Sequence, residues 1–212
     1  MEIKKPIITD NKTVSVIDFK DDISSLSKDK KNELLNIVGE LLIERTLSSM
    51  ADSVSPVDGS SFPALSKEYA KYKLEEVGTK DPNLDLTGSM INALDYKIVN
   101  NSIEYGIYGK EAGKADGHNN LSGRSNLPKR QFLPDAGEGL QFEDTINQVI
   151  SDFIADNTEI KKEDLEAVGD SKDLYALLKS ELGDYSKKEL KSRVLRSELA
   201  FLLDDYGLLE FL

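Results

Sequence analysis

The chain has 212 residues, no cysteine, a single histidine (His118) and a formal net charge of -12. Its length allows one domain with an appendage, or two small domains. Disulfides and thiolate metal sites are impossible without cysteine, and one histidine excludes a multi-histidine metal site within one chain. An acidic surface repels phosphate, so we expect no sequence-specific nucleic-acid binding, although DNA would slide past an acidic channel wall without sticking to it.

Two features of the sequence bear on where the protein works. No apolar run approaches the roughly 18–20 residues that a membrane-spanning helix needs. The first residues, 1–6, lack the apolar core of a secretory signal. The sequence therefore predicts a cytoplasmic product that does not cross a membrane.

The first quarter of the chain predicts a strand followed by a long helix. Residues 1–12 are polar and predict an arm, whereas residues 13–19 alternate and are rich in β-branched side chains, which is typical of a strand. Ser27 is suited to cap a helix that runs to about Ala51. The polar residues of that helix fall on one narrow stripe, so we expect more than half of its circumference to be covered, by its own sheet and a neighbouring subunit.

Two shorter helices are predicted from their capping residues. Ser66 precedes a helix over residues 67–77, which ends near the glycine that follows it. Thr87 is placed to cap a short helix over residues 88–94, and Gly88 permits close approach of the backbone. We therefore expect Thr87 and Gly88 to act through geometry rather than through chemistry.

The middle of the chain predicts a β-hairpin, a loop and one more strand. Residues 96–99 and 102–108 read as strands, and the Asn-Asn pair between them suits a tight turn because asparagine tolerates positive φ. Residues 109–126 are polar and contain several glycines, which favours a mobile loop. Residues 130–133 predict a short strand.

The last third of the chain is predicted to be helical. Apolar residues from Phe142 to Ile154 recur at the spacing of an amphipathic helix. After Asn157 three helices are predicted, over residues 163–168, 172–182 and 187–206. We place a domain boundary near residue 157, which separates an α+β domain, 1–157, from a helical extension, 158–212.

Together these elements predict an α+β fold. A small antiparallel sheet packs against the long helix and the amphipathic helix, and a helical C-terminal extension follows. The end of the chain is unusually apolar, with Leu208, Leu209, Phe211 and Leu212 within five residues. Exposed apolar ends promote association, so we expect this segment either to fold back on its own domain or to dock on an adjacent subunit.

Arg130 and Phe132 are two residues apart in the predicted strand, so they would share one face of it. One interpretation is a surface arginine beside a core phenylalanine. The other is an arginine that pairs with a carboxylate of a neighbouring subunit, because the planar guanidinium suits bidentate contacts at interfaces. Both interpretations remain open from the sequence.

Catalysis is not expected from this sequence. His118 is the only side chain suited to proton transfer near neutral pH, and Asp116, Ser122 and Ser125 lie near it in sequence. No nucleophile-elbow pattern surrounds these serines. We therefore expect no catalytic residue, no metal ligand and no cofactor, and a small hydrolase that uses His118 is the alternative from another functional class.

An ordered set of short motifs resembles the phage virion morphogenesis family, which comprises tail-completion and neck proteins that join head and tail. The matching residues, within 27–156, are Pro63-Ala64-Leu65-Ser66, then Tyr69 and Lys71, then Leu84, Thr87, Gly88 and Met90, and finally Pro128, Arg130, Phe132 and Leu133. A hairpin precedes the last of these groups. Residues after 157 match nothing in that family pattern.

The resemblance implies a structural subunit of a tailed-phage virion. Such a subunit forms a homo-oligomeric ring at the head–tail junction and binds connector, tail terminator or other tail proteins, while DNA passes through its lumen. It implies an interface function for Thr87, Gly88, Arg130 and Phe132, to which we add the four apolar C-terminal residues. A tail terminator ring is the alternative within the structural class.

Overall fold

The computed structural model describes residues 1–19, 23, 26–120, 128–157, 160, 162–183, 185–197 and 199–212. These residues form the predicted α+β fold, with one four-stranded antiparallel sheet. The strands are β1 (Glu2–Thr9), β2 (Lys12–Asp18), β3 (Leu94–Val99) and β4 (Ser102–Tyr108), in the spatial order β1-β2-β4-β3. The helices are α1 (Lys28–Ala51), α2 (Lys67–Val77), α3 (Ala112–Asn119), α4 (Glu143–Asn157), α5 (Lys162–Glu166), α6 (Ser171–Leu182), α7 (Lys187–Val194) and α8 (Leu199–Asp205).

The fourth strand of the sheet comes from the N-terminus and not from residues 130–133. The predicted polar arm is β1, which pairs antiparallel with β2 so that Ile3 faces Ile17 across the ladder. An edge strand leaves most of its side chains exposed, and this is why the segment reads as polar. Pro6 lies where the register shifts between Lys4 and Ile7, a position where a missing amide does little harm.

Several predicted elements are confirmed. The hairpin of β3 and β4 turns at Asn100, whose φ is +59°. Ser66 caps α2 by accepting a hydrogen bond from the amide of Tyr69 at 3.2 Å, and Gly78 ends the helix in the left-handed conformation. The long helix α1 has the predicted length.

The predicted loop over residues 109–126 is wrong for its described part. A 3-10 turn, Gly109–Glu111, leads into α3, while residues 121–126 lie outside the described part of the chain. Ala112 and Ala115 are fully buried, and the Thr13 hydroxyl of β2 donates to the Ala112 carbonyl at 2.9 Å. The small residues that suggest a loop in the sequence instead allow this helix to lie close to the sheet.

The long helix α1 packs on the sheet through a close backbone approach. The Tyr96 ring of β3 lies so near Gly39 that an added Cβ would come within 2.4 Å of it. The Tyr96 hydroxyl also donates to Asn36 Oδ1 at 3.1 Å. The sheet contributes five fully buried side chains to the core of this unit: Val14, Ile17, Ile103, Tyr105 and Ile107. The contact at Gly39 supports the predicted packing of the sheet against the long helix.

The chain divides into two compact units. The first comprises Met1–Phe19 and Leu35–Asp144, and the second comprises Lys20–Leu34 and Thr145–Leu212. This division assigns most of α4 to the C-terminal helices, whereas the sequence predicts a boundary near residue 157. Independent folding of residues 1–157 stays a prediction.

The second unit buries apolar residues from α4 and from α6, α7 and α8: Ile146, Ile150, Ile154, Leu174, Leu178, Leu190, Val194 and Leu203. Ser186 and Glu189 form the predicted capping box at the start of α7. The single helix predicted over 187–206 is two helices, because the chain turns at residues 195–197.

Burial of tyrosine in the sheet predicts a loss of stability at alkaline pH. Burial raises the pKa of the Tyr105 hydroxyl far above its ordinary value. Above about pH 10 the unfolded chain loses this proton while the folded protein keeps it, so the free energy of unfolding falls by up to about 1.4 kcal/mol per pH unit. We expect Tyr105→Phe to reduce the fall between pH 8 and pH 11, measured by urea unfolding at each pH.

The matched control is Tyr72→Phe on the surface of α2, which removes an exposed tyrosine hydroxyl in place of the buried one. An identical alkaline loss in Tyr105→Phe and in the unmodified protein would show that this buried hydroxyl does not govern it.

Candidate functional site

A cleft of about 420 Å³ opens in the first unit. Four chain segments line it: residues 64–66 with the adjoining part of α2, the loop 82–87, the α3 residues Lys114 and His118, and the segment 128–130. Its wall is largely apolar, with a few charged groups placed among leucine, proline and tyrosine side chains. Concave, mostly apolar sites with a small number of convergent polar groups are typical of binding sites.

Arg130 is the most tightly held of the cleft residues. It is 4% exposed, and its Nε and Nη2 atoms donate to the Pro63 carbonyl at 3.1 and 2.8 Å, while Nη2 also donates to the Ala64 carbonyl at 3.2 Å. Its amide donates to the His118 carbonyl at 2.9 Å. The surface-arginine interpretation is therefore wrong, and the partners of Arg130 within the described chain are carbonyls rather than a carboxylate.

Asn119 fixes the segment that carries Arg130. Its Oδ1 accepts hydrogen bonds from the amides of Phe132 and Leu133 at 3.0 and 2.8 Å, and its Nδ2 donates to the Leu133 carbonyl at 3.1 Å. These side-chain bonds take the place of the strand-to-strand hydrogen bonds that the predicted strand would form. Residues 130–133 are therefore irregular backbone and not a strand. Phe132 is fully buried, so its ring belongs to the core and not to the surface that a partner subunit would contact.

Lys73 is the second buried cation of the cleft. It is 2% exposed and is the only buried residue of α2. Its Nζ donates to the Asp81 carbonyl at 2.7 Å and to Asn83 Oδ1. The bond to Asn83 ties α2 to the loop 82–87, so two sides of the cleft are linked through one ammonium group.

Burial acts on the protonation of both cations of the cleft. Burial lowers the pKa of Lys73; nearby Asp85 and Asp81 oppose that shift, and the positive charge of Arg130 adds to it. Burial also lowers the pKa of Arg130. In both groups desolvation is the largest cause, so burial disfavours the charged form of each side chain.

The loop 82–87 is held in a strained conformation. Leu84 has a φ of +60°, which costs energy for a residue with a Cβ, and its side chain lines the cleft. Asp85 Oδ1 accepts a hydrogen bond from the Gly88 amide at 2.8 Å, and Gly88 has a φ of +71°. Strain of this kind persists only where the surrounding structure enforces it.

The predicted cap at Thr87 is wrong. The helical turn that follows is a 3-10 turn, Ile91–Ala93, and the Thr87 hydroxyl lies 2.9 Å from the Ser89 hydroxyl instead of accepting a backbone amide. The residue before this turn, Met90, makes no side-chain cap hydrogen bond, and the carboxylate of Asp85 instead accepts the Gly88 amide ahead of the turn. Thr87 is exposed at the rim of the cleft, and Gly88 supplies the positive φ that this turn requires.

The predicted C-terminal interface residues lie in the second unit. Leu208 is 5% exposed, and the other three are half-buried around a 3-10 turn, Leu209–Phe211. Ser171 and Tyr175 of α6 donate hydrogen bonds to the carbonyls of Phe211 and Leu212 at 2.9 and 2.8 Å. The end of the chain therefore folds back on α6, the first of the two arrangements expected from the sequence.

Sequence reasoning missed the two residues that organise the cleft, Lys73 and Asn119. A signal for Lys73 exists, because it lies four residues from both Tyr69 and Val77 and so interrupts the apolar face of α2. A lysine at that position needs buried partners. Asn119 carries no such signal, because its partners are thirteen and fourteen residues away in irregular backbone.

No family model, no curated protein and no solved structure matches this chain. Within the described residues, no three histidine, aspartate or glutamate side chains are grouped as metal ligands would be. None of the described helices has the length and apolar character needed to cross a membrane.

Proposed function

We propose that this protein is a structural subunit of a tailed-phage virion, a neck or tail-completion protein that forms a ring at the head–tail junction. In this function it joins connector and tail proteins during assembly and catalyses no reaction. DNA passes through the lumen of the ring without specific binding, in keeping with the net charge of -12.

The observation that carries the proposal is the convergence of the family-like residues on one cleft. These residues are spread over more than sixty positions, yet seven of them line the same concavity: Leu65, Ser66, Tyr69, Leu84, Thr87, Pro128 and Arg130. Short motifs that match by chance have no reason to meet in space. Their meeting supports a common origin for the pattern and a shared use of this surface.

The exposed apolar residues of α2 support an assembly function. Tyr69, Tyr72, Leu74 and Val77 are each 41–50% exposed on this eleven-residue helix. The rings of Tyr69 and Tyr72 lie 6.1 Å apart and present one aromatic surface. Exposed tyrosine side chains of this kind are enriched at protein–protein interfaces.

Immunogold labelling of virions tests the location of this protein. Antibodies raised against the purified chain are expected to label particles of the phage that encodes it at the head–tail junction. Label confined to tail fibres, or absent from particles, would contradict the proposal. Label on the ends of tails without heads would favour the tail terminator alternative.

The exposed apolar residues of α2 are tested by a pair of double variants in this helix. Tyr72→Ala with Leu74→Ala removes exposed apolar groups and should reduce incorporation into particles by about tenfold or more, as expected for loss of interface anchors. Lys71→Ala with Glu75→Ala removes an exposed ion pair from the same helix and should leave incorporation unchanged. Equal incorporation of the two variants would exclude these exposed apolar residues from assembly.

A further inference from the structure

The cleft of the first unit carries a charge opposite to that of the chain as a whole. Among the described residues that line it, three are cationic and one is a carboxylate: Lys73, Lys114, Arg130 and Asp85. The whole chain has a net charge of -12. A positive recess in an otherwise acidic protein selects ligands by charge, because it attracts anions that the remaining surface repels.

The buried cations have unused donor capacity. Arg130 uses Nε and Nη2 on carbonyls, and within the described residues its Nη1 makes no hydrogen bond. Lys73 donates two hydrogen bonds among the described residues, whereas an ammonium group has three protons to donate. Both side chains are more than nine-tenths buried, so a bound anion would interact with them in a partly desolvated site where ion pairing is strong.

The wall around these cations is apolar rather than polar. Leu65, Leu84 and Leu86 line it together with two prolines and the ring of Tyr69. A free inorganic anion would make no favourable contact with this apolar wall. A peptide that carries a carboxylate between apolar side chains would satisfy the charged and the apolar parts of the cleft at once, in the way that small binding sites combine burial with a few orienting polar groups.

We propose that this cleft binds an acidic peptide segment of a partner protein, with a carboxylate side chain directed to Arg130 and Lys73 and apolar side chains against the leucines of the wall. The inference deepens the proposed function, on which it rests for the identity of the partner as another virion protein. The strained turn at Leu84 positions part of the apolar wall, and Lys114 at the rim adds a positive charge, paired with Glu111 at 3.3 Å.

Selection from a random peptide library tests the chemistry of the ligand without knowledge of the partner. Dodecapeptides displayed on their messenger RNA are selected on the immobilised full chain, and enriched peptides are synthesised and measured by fluorescence anisotropy. Aspartate or glutamate flanked by apolar residues is the expected consensus. Enrichment of no peptide, or of peptides without acidic residues, would overturn the proposal.

Matched charge reversals locate the binding site. Lys114→Glu at the cleft should weaken binding of the enriched peptide about tenfold, whereas Lys110→Glu, an exposed residue outside the cleft lining with the same change of net charge, should alter it less than about twofold. Replacing the peptide carboxylates by amides should also cost about tenfold. Equal weakening by the two protein variants would contradict the assignment. It would show that the peptide binds outside the cleft or that its affinity depends only on the net charge of the protein.

Lys73→Met removes the buried ammonium group and leaves an unbranched apolar side chain in its place. Its folding is checked by circular dichroism and thermal unfolding, and a folded variant should bind the acidic peptide at least about tenfold more weakly. A folded variant with undiminished affinity would remove Lys73 from the site. Stronger competition by a single-stranded oligonucleotide than by the acidic peptide would indicate a phosphate ligand and overturn the peptide assignment.

The outcomes separate this inference from the proposed function. Peptide binding by the free chain without label at the head–tail junction would overturn the virion location and leave the cleft assignment standing. Label at the junction with no selection of acidic peptides would overturn the cleft assignment and leave the virion location standing. Enriched peptides that match segments of this same chain would identify a second copy as the occupant and exclude a separate partner.

Discussion

Gly106→Ala is expected to destabilise the protein by about 3–5 kcal/mol, at the upper end of the range for single substitutions. Gly106 lies in β4 between Val14 of β2 and Asp95 of β3. A Cβ at this position would lie 2.3 Å from the Thr13 carbonyl oxygen and 2.8 Å from the Val14 Cα, and its φ is +153°. Because both contacts are backbone atoms of a paired strand, the sheet itself would have to shift.

Urea unfolding followed by circular dichroism measures this effect, and Gly113→Ala provides the matched control. Gly113 lies in α3, where an added methyl group would meet no atom within 4 Å, so alanine there should stabilise the helix by about 0.5–1 kcal/mol. A loss of less than about 1 kcal/mol in Gly106→Ala would mean that β2 and β4 can shift apart to make room for the methyl group at little cost in free energy.

Asn119→Ala is expected to cost about 3–5 kcal/mol because it leaves three buried backbone groups without their partner. The amides of Phe132 and Leu133 and the Leu133 carbonyl all bond to this one side chain in the described structure. The same substitution should also release the segment that holds Arg130, so it should abolish peptide binding in the cleft. Thermal unfolding and fluorescence anisotropy measure the two effects separately.

Two neighbouring substitutions sharpen this test. Asn119→Asp keeps the acceptor for both amides but cannot donate to the Leu133 carbonyl, so its stability should lie between that of the unmodified protein and that of Asn119→Ala. Asn120→Ala removes a half-buried bond to Asp116 at 3.0 Å and should cost less than about 1 kcal/mol. Equal losses in Asn119→Ala and Asn120→Ala would show that the segment 132–133 is held by packing of Phe132 and not by the amide side chain.

The proposed function and the cleft chemistry make different demands on the same surface. A ring subunit needs exposed apolar residues, and α2 supplies them through Tyr72 and Leu74. Recognition of an acidic segment needs a positive recess, which Lys73 and Arg130 supply behind the same helix. Tyr69 contributes to both, since it is exposed on α2 and also lines the cleft. The two functions therefore share one contiguous region of the first unit.

Local elements of this protein are determined by its sequence. The caps at Ser66 and Ser186, the asparagine turn at Asn100 and the lengths of α1 and α2 all follow from interactions between residues close in the chain. Capping and turn preferences act over a few residues, so they can be recognised without knowledge of the fold. The α+β class follows from the same patterns.

Tertiary structure alone decided β1, α3 and the path of residues 130–133. β1 is a strand because its backbone pairs with that of β2. Most of its side chains are exposed, which is why the sequence suggests a polar arm. α3 forms despite its glycines because its face with Ala112 and Ala115 is buried, and the Thr13 hydroxyl of the sheet donates to the Ala112 carbonyl. Residues 130–133 are irregular because Asn119 satisfies their backbone groups.

The candidate site depends on tertiary structure for the same physical reason. Arg130 and Lys73 are both polar in sequence, and only the fold places carbonyls of distant loops where these cations can be buried. Burial of a charge requires partners that converge from several segments, and no local pattern encodes that convergence. The sequence by itself thus determines which helices and turns form, whereas the paired strands and the buried polar groups decide where the cleft lies and which charges it presents.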